Sequence, residues 1–144
     1  MASWAEFEAT EPDFAARSRA LLTARKHLTM ATIRKDGSPR ISGTEITIEG
    51  GELRIGSMPS SVKGLDLRRD PRVAIHGPSS DPPAGTPARW RGEAKVAGIA
   101  REVEPDRFVI DLDEVVITRL DRAGSHLIIE SWRPGRGHRL QERE

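Results

Sequence analysis

The feature that most restricts the fold of this chain is the run from His27 to Met58, HLTMATIRKDGSPRISGTEITIEGGELRIGSM, where small or β-branched apolar residues alternate with polar ones. A period of two sends successive side chains to opposite faces, so the run specifies half-buried strands rather than an amphipathic helix. Asp36-Gly37 and Gly50-Gly51 interrupt it, and such pairs supply the positive φ angles of tight hairpin turns. The pattern predicts three antiparallel strands joined as a meander, at residues 27–34, 39–48 and 52–58.

The flanking sequence fills in the rest. Upstream, Thr10 is a candidate N-cap, Pro12 suits a first helical turn, and Phe14, Leu21 and Leu22 fall on one face. Arg25 and Lys26 then meet the negative end of that helix. Downstream, SSVKGLDLRRD reads as a short helix capped by Ser60 or Ser61 and ended by Asp70, which Pro71 pushes out of helical geometry. A strand at 72–76 precedes the loop GPSSDPPAGTP, whose prolines and glycines forbid regular structure. Strands at 88–103, 107–120 and 126–132 follow, and the polar tail 133–144 is expected to fray. The chain therefore reads as one mainly β domain over 1–144: a helical segment at 1–26, a barrel or curved antiparallel sheet of six or seven strands at 27–132, and the tail.

Composition removes several classes of function. Zero cysteine excludes thiol catalysis, disulfide scaffolds and cysteine-ligated metals. A balance of 23 basic against 22 acidic side chains gives no general electrostatic case for nucleic acid or an anionic membrane. The first twenty residues hold four acidic groups and no apolar run, so a cytoplasmic protein without a secretory signal is expected.

The most informative stretch for function is Arg54 to Pro71, RIGSMPSSVKGLDLRRDP. A strand leads into a turn, and Ser60, Ser61 and Lys63 stand at the start of a helix. Free N–H groups of a helix N-terminus, hydroxyl donors and one ammonium together suit a phosphate. The same residues also describe an ordinary capped helix with a solvated lysine.

At this point the sequence resembles a family. MATIRKDGSPRISGTEI, the Gly-Gly turn, the SSVK-GLDLRRDPRVAI run and RWRGEAKV are similar to the pyridoxamine 5′-phosphate oxidase-like, flavin-binding split β-barrel family, over roughly residues 27–100. The likeness is strongest to small members that use flavin mononucleotide (FMN) or the deazaflavin F420. It implies a Greek-key split barrel, a homodimer with cofactor clefts along the interface, and direct hydride transfer to a small organic substrate. It also implies site residues: Lys63 for the phosphate, with Ser61 and Val62 in the adjoining turn; Ile55, Gly56 and Ser57 at the end of the third strand; and Ser42, Gly43 and Thr44 against the ring system. An arginine that many members carry is replaced by Ser61 or Val62 and by Ser42. The substrate-holding aromatic, histidine and arginine positions of true pyridoxamine phosphate oxidases are not evident, so that reaction is not expected. The alternative is a protein that carries flavin, F420 or a tetrapyrrole without catalysis.

Other residues carry weaker signals. His27, His76, His126 and His138 are scattered without metal-ligand spacing, and no metal site is expected. Asp111, Asp113 and Glu114 read as a solvated acidic run. Arg68, Arg69 and Arg72, with Arg133, Arg136 and Arg139, are either solubilising or a rim for an anionic cofactor. Trp90 and Trp132 are expected on strands, in the core or at a dimer interface, with Trp90 a further candidate to border the partner's cofactor; Trp4 has no assigned role.

Overall fold

The computed structural model describes residues 1–144. The alternating run contains four strands rather than three: β1 (Leu28–Ile33), β2 (Pro39–Thr44), β3 (Ile46–Glu49) and β4 (Glu52–Gly56). The strand expected at 39–48 is real but bends at Glu45, so β2 pairs with β1 while β3 pairs with β4. After α3 (Val62–Arg69) come β5 (Arg72–His76), β6 (Glu93–Glu104), β7 (Arg107–Leu120), β8 (Leu127–Arg133) and β9 (Gly137–Arg143). All nine strands join one antiparallel sheet in the order β2-β1-β5-β6-β7-β4-β3, with β8 and β9 attached beside β7. The two ends of that path, β2 and β3, are halves of one bent run of chain, which gives a split barrel instead of a closed ladder.

The strand count of six or seven thus rises to nine, through the bend at Glu45 and through the tail. Residues Gly137–Arg143 do not fray; they pair with β8 over its whole length, from Arg133↔Gly137 to Leu127↔Arg143. The sequence hid this because β9 is an edge strand with almost every side chain exposed, so it lacks an apolar face. Long β7 organises the sheet: its first part holds β4 and its second part holds β8, with β6 along the opposite edge. Asp113 is an extra residue in the β6–β7 ladder, opposite Ala97 and Gly98. A Cβ at Gly98 would collide with the Asp111 carbonyl, so glycine is required at this bulge.

The N-terminal segment forms two helices, α1 (Trp4–Thr10) and α2 (Pro12–Leu22), not one. Ser3 caps α1, its hydroxyl accepting from the Glu6 N–H at 3.1 Å; Pro12 opens α2 as expected, but Thr10 is the last residue of α1 and the N-cap of α2 is Glu11, which makes no side-chain cap bond. These helices plug the barrel with an aromatic cluster. Phe7 sits edge-on to Trp4 at 5.1 Å and to Phe14 at 5.9 Å, and lies 4.7 Å from Trp132. Trp4 and Trp132 are therefore core residues. Trp90 is not on a strand: it follows a 3₁₀ turn at Pro87–Arg89 and donates its indole N–H to the Ser80 carbonyl at 2.7 Å, closing the proline-rich loop. No helix is long and apolar enough to cross a membrane.

Candidate functional site

From the first turn of α3, Lys63 reaches to β2 and donates its ammonium to the Gly43 carbonyl at 2.9 Å. That contact bounds one side of a cleft of about 850 Å³ between the β2–β3 bend, the end of β4 and the β6–β7 hairpin. Gly43, Thr44, Ile55, Gly56, Ser57 and Lys63 all line it. Ser42, Ser61 and Val62 do not. The period of two sets Ser42 with Arg40 on the half-buried face of β2, and Val62 is an exposed residue on α3. A Cβ at Gly43 would meet nothing within 4 Å, so the strand surface there is bare backbone.

The turn into α3 is built from local chemistry. The Ser61 N–H donates to the Met58 carbonyl at 3.0 Å, Pro59 takes the second position, and Ser60 adopts φ +62° at the third. This is a type II pattern in which glycine is usual at the third position, and a serine there costs on the order of 1 kcal/mol. Ser61 then caps the helix, its hydroxyl accepting from the Gly64 N–H at 3.1 Å. The first-turn N–H groups of Val62 and Lys63 have no partner within the protein, as expected for a helix start. Ser57, at the end of β4, donates its N–H to the Asp106 carbonyl at 2.9 Å. Its hydroxyl is the one buried side-chain polar atom in the molecule without a hydrogen-bond partner. A buried orphan hydroxyl is costly unless something else supplies an acceptor.

Charges in the cleft are mixed. Arg54, Lys63 and Arg107 face Glu45, Glu49 and Asp106. The arginines at the helix exit are engaged within the chain: Arg68 with Glu102 at 2.6 Å and Asp106 at 2.9 Å, Arg69 with Asp66 at 2.7 Å, and Arg72 with Asp70 at 2.6 Å. The hydrogen bonds Arg68 donates to Glu102 and Asp106 hold its proton more tightly than usual, and those Arg72 donates to Asp70 lower that carboxyl to about 2. These arginines therefore act as braces of α3, and Arg133 likewise pairs with Asp113 and Glu114. Asp66 is buried inside α3. Its carboxylate accepts from Thr32 on β1 at 2.8 Å, from Arg40 on β2 at 2.7 Å and from Arg69 at 2.7 Å. Burial pushes its pKa up, but the three donors outweigh that and hold it below the ordinary range.

Away from the cleft, β9 brings Glu142 beside the β7–β8 turn. His126 Nδ1 lies 3.2 Å from Asp121 and 3.6 Å from Glu142, a grouping invisible in sequence because it depends on the register of β9. Hydrogen bonds from the Ser125 and His126 backbones hold Asp121 at about 2.

An ammonium and an orphan hydroxyl on residues that line the cleft, next to two free N–H groups at the start of α3, are the donor types that suit an anion, and the bare β2 backbone leaves space for a flat group beside them. Fold and cleft together define a protein of the split-barrel class. The family model for pyridoxamine 5′-phosphate oxidase matches residues 14–124, and the chain belongs to that family. Solved structures of the same fold include a pyridoxamine 5′-phosphate oxidase-related, FMN binding protein from Nostoc punctiforme, 14% identical with TM-score 0.58, covering 100% of this chain and 98% of that one. PhzG from Burkholderia lata, in complex with tetrahydrophenazine-1-carboxylic acid, is 11% identical with TM-score 0.62, over 95% and 91% of the two chains. A heme binding protein from Mycobacterium smegmatis is 15% identical with TM-score 0.54, over 88% and 86%. At these identities the likeness is one of fold. No curated protein sequence matches the chain.

Proposed function

We propose that the protein binds a flavin-type cofactor, FMN or F420, in this cleft and acts as an oxidoreductase on a small organic substrate. The observation that carries the reading is the orphan hydroxyl of Ser57 beside Lys63 and the free N–H groups of α3, a donor set that fits a phosphate. The cofactor, when bound, supplies the hydride chemistry. The chain's own residues bind and orient: Lys63 and Ser57 hold the phosphate, the first turn of α3 adds N–H donors, and Gly43, Thr44, Ile55 and Gly56 border the ring. Lys63 would release the Gly43 carbonyl or share its three protons between carbonyl and phosphate. No side-chain acid or base is required for hydride transfer of this kind.

The homodimer belongs to the same reading. Ile41, Met58, Val62 and Leu65 leave more than half of their surface exposed on β2, α3 and the turn between β4 and α3, beside the cleft. A second copy covering them would also screen the cofactor from water.

A second reading is a carrier of flavin or a tetrapyrrole without turnover. It is favoured by His27, which stands exposed on the cleft wall 3.8 Å from Glu45, where an imidazole is available to a metal-bearing ring. Reoxidation of the reduced cofactor–protein complex by a panel of enones, quinones and nitro compounds separates the two. Turnover with any acceptor is expected; tight binding with no turnover by any of them supports the carrier, and a Soret band lost in His27→Ala assigns it to haem.

A further inference from the structure

Gly64 is an anomaly in the first turn of α3, because glycine is a poorer helix former than alanine, by up to about 1 kcal/mol, and its φ here is an ordinary helical one. The neighbours of the missing side chain account for it. A Cβ at Gly64 would lie 3.0 Å from the Ser57 hydroxyl, 3.0 Å from the Ser61 hydroxyl and 3.5 Å from Arg68 Nη1. Two of these three groups have no freedom to retreat. The Ser61 hydroxyl is held by its cap bond to the Gly64 N–H. Arg68 is held by Glu102 and Asp106. The Ser57 backbone is pinned to the Asp106 carbonyl as well, which leaves rotation of the unpartnered Ser57 hydroxyl as the one cheap response to crowding.

We infer that Gly64 is a positioning residue for anion recognition: its missing side chain keeps the Ser57 hydroxyl seated at the first turn of α3, ready to donate to a ligand phosphate. The inference rests on the cofactor reading above and adds a residue that touches no ligand. Helix stability is given up there for a donor held at the start of α3.

The test is a cycle of wild type, Gly64→Ala, Ser57→Ala and the double variant, titrated with FMN, F420 and riboflavin and melted thermally. Riboflavin lacks the phosphate and serves as the internal control. Gly64→Ala and Ser57→Ala are each expected to weaken FMN by about tenfold or more, as for a hydrogen bond to a charged group. The double variant should bind FMN no more weakly than Ser57→Ala alone, because the glycine acts through the serine. Riboflavin affinity should be the same in all four proteins. Wild-type FMN affinity in Gly64→Ala, or penalties that multiply in the double variant, overturns the role of Gly64 while leaving the phosphate cradle standing. A wild type that prefers neither FMN nor F420 over riboflavin overturns the cradle itself and this role with it. If Gly64→Ala melts early, adding Ser57→Ala restores the melting temperature where the two residues meet as described; failure to restore it overturns the contact.

Discussion

Two buried carboxylates, Asp66 and Glu130, use one device in different halves of the molecule. Asp66 gathers Thr32, Arg40 and Arg69 and so fixes α3 against β1 and β2, beside the cleft. Glu130, on β8, accepts two hydrogen bonds from Arg17 of α2 at 2.7 and 2.8 Å, one from Arg119 of β7 at 2.9 Å, and faces His138 of β9 at 3.0 Å. Their side chains are 2% and 4% exposed. Each carboxylate sits between two guanidiniums and one further partner, which is what makes burial of the charge tolerable. The first hub orients the helix that starts at the candidate site; the second ties the N-terminal plug and the last strand to the sheet. Similar energetics therefore serve position in one place and closure in the other.

Deleting either hub has the largest expected effect. Glu130→Ala leaves Arg17 and Arg119 without their shared anion and is expected to cost about 3–5 kcal/mol in chemical denaturation, with cofactor affinity of the folded protein unchanged. Asp66→Ala is expected to cost a similar amount, and in addition to weaken the cofactor by about tenfold as α3 loses its seat. Loss of affinity in Glu130→Ala equal to that in Asp66→Ala would erase the distinction between the two hubs.

Acid titration sharpens it further. Hydrogen bonds from Arg17 outweigh burial and, with Arg119 and His138, hold the Glu130 carboxyl at about 2 in the folded protein, against about 4.3 in an unfolded chain. Because the folded value is the lower one, this contribution is complete above about pH 5 and is lost as the pH falls toward 2. Denaturation midpoints should fall across that window in wild type and fall less steeply in Glu130→Gln. The smallest effect belongs to the site alone: Lys63→Ala is expected to reduce cofactor affinity by about 1–3 kcal/mol with little change in stability, measured by titration and melting. Lys63 is half-buried and bonds only a carbonyl within the chain, so little of the fold depends on it.

Much of this was legible in the sequence, and the failures have physical causes. Alternation between His27 and Met58 located the strands, but a period of two does not reveal where a continuous strand changes partner, so the bend at Glu45 was missed. Ser3 and Glu6 carry the capping-box spacing that marks α1, whereas Thr10 closes α1 with its hydroxyl on the Phe7 carbonyl and does not cap the helix after it. β9 left no signal, since its pairing is made by backbone atoms. At the site, Lys63 and the neighbouring segments were found through family likeness and the helix start. The significance of Ser57 and the braces on Arg68 were not visible, because both depend on a β6–β7 hairpin that returns to the cleft about fifty residues later.

The phosphate of a flavin-type cofactor is expected at the start of α3. A crystal structure of the protein with FMN or F420 tests it most directly. Phosphate oxygens are expected within hydrogen-bond distance of Lys63 Nζ and the Ser57 hydroxyl, with the ring against β2 at Gly43. A cofactor seated elsewhere, or with its phosphate at the other end of the cleft, would contradict it.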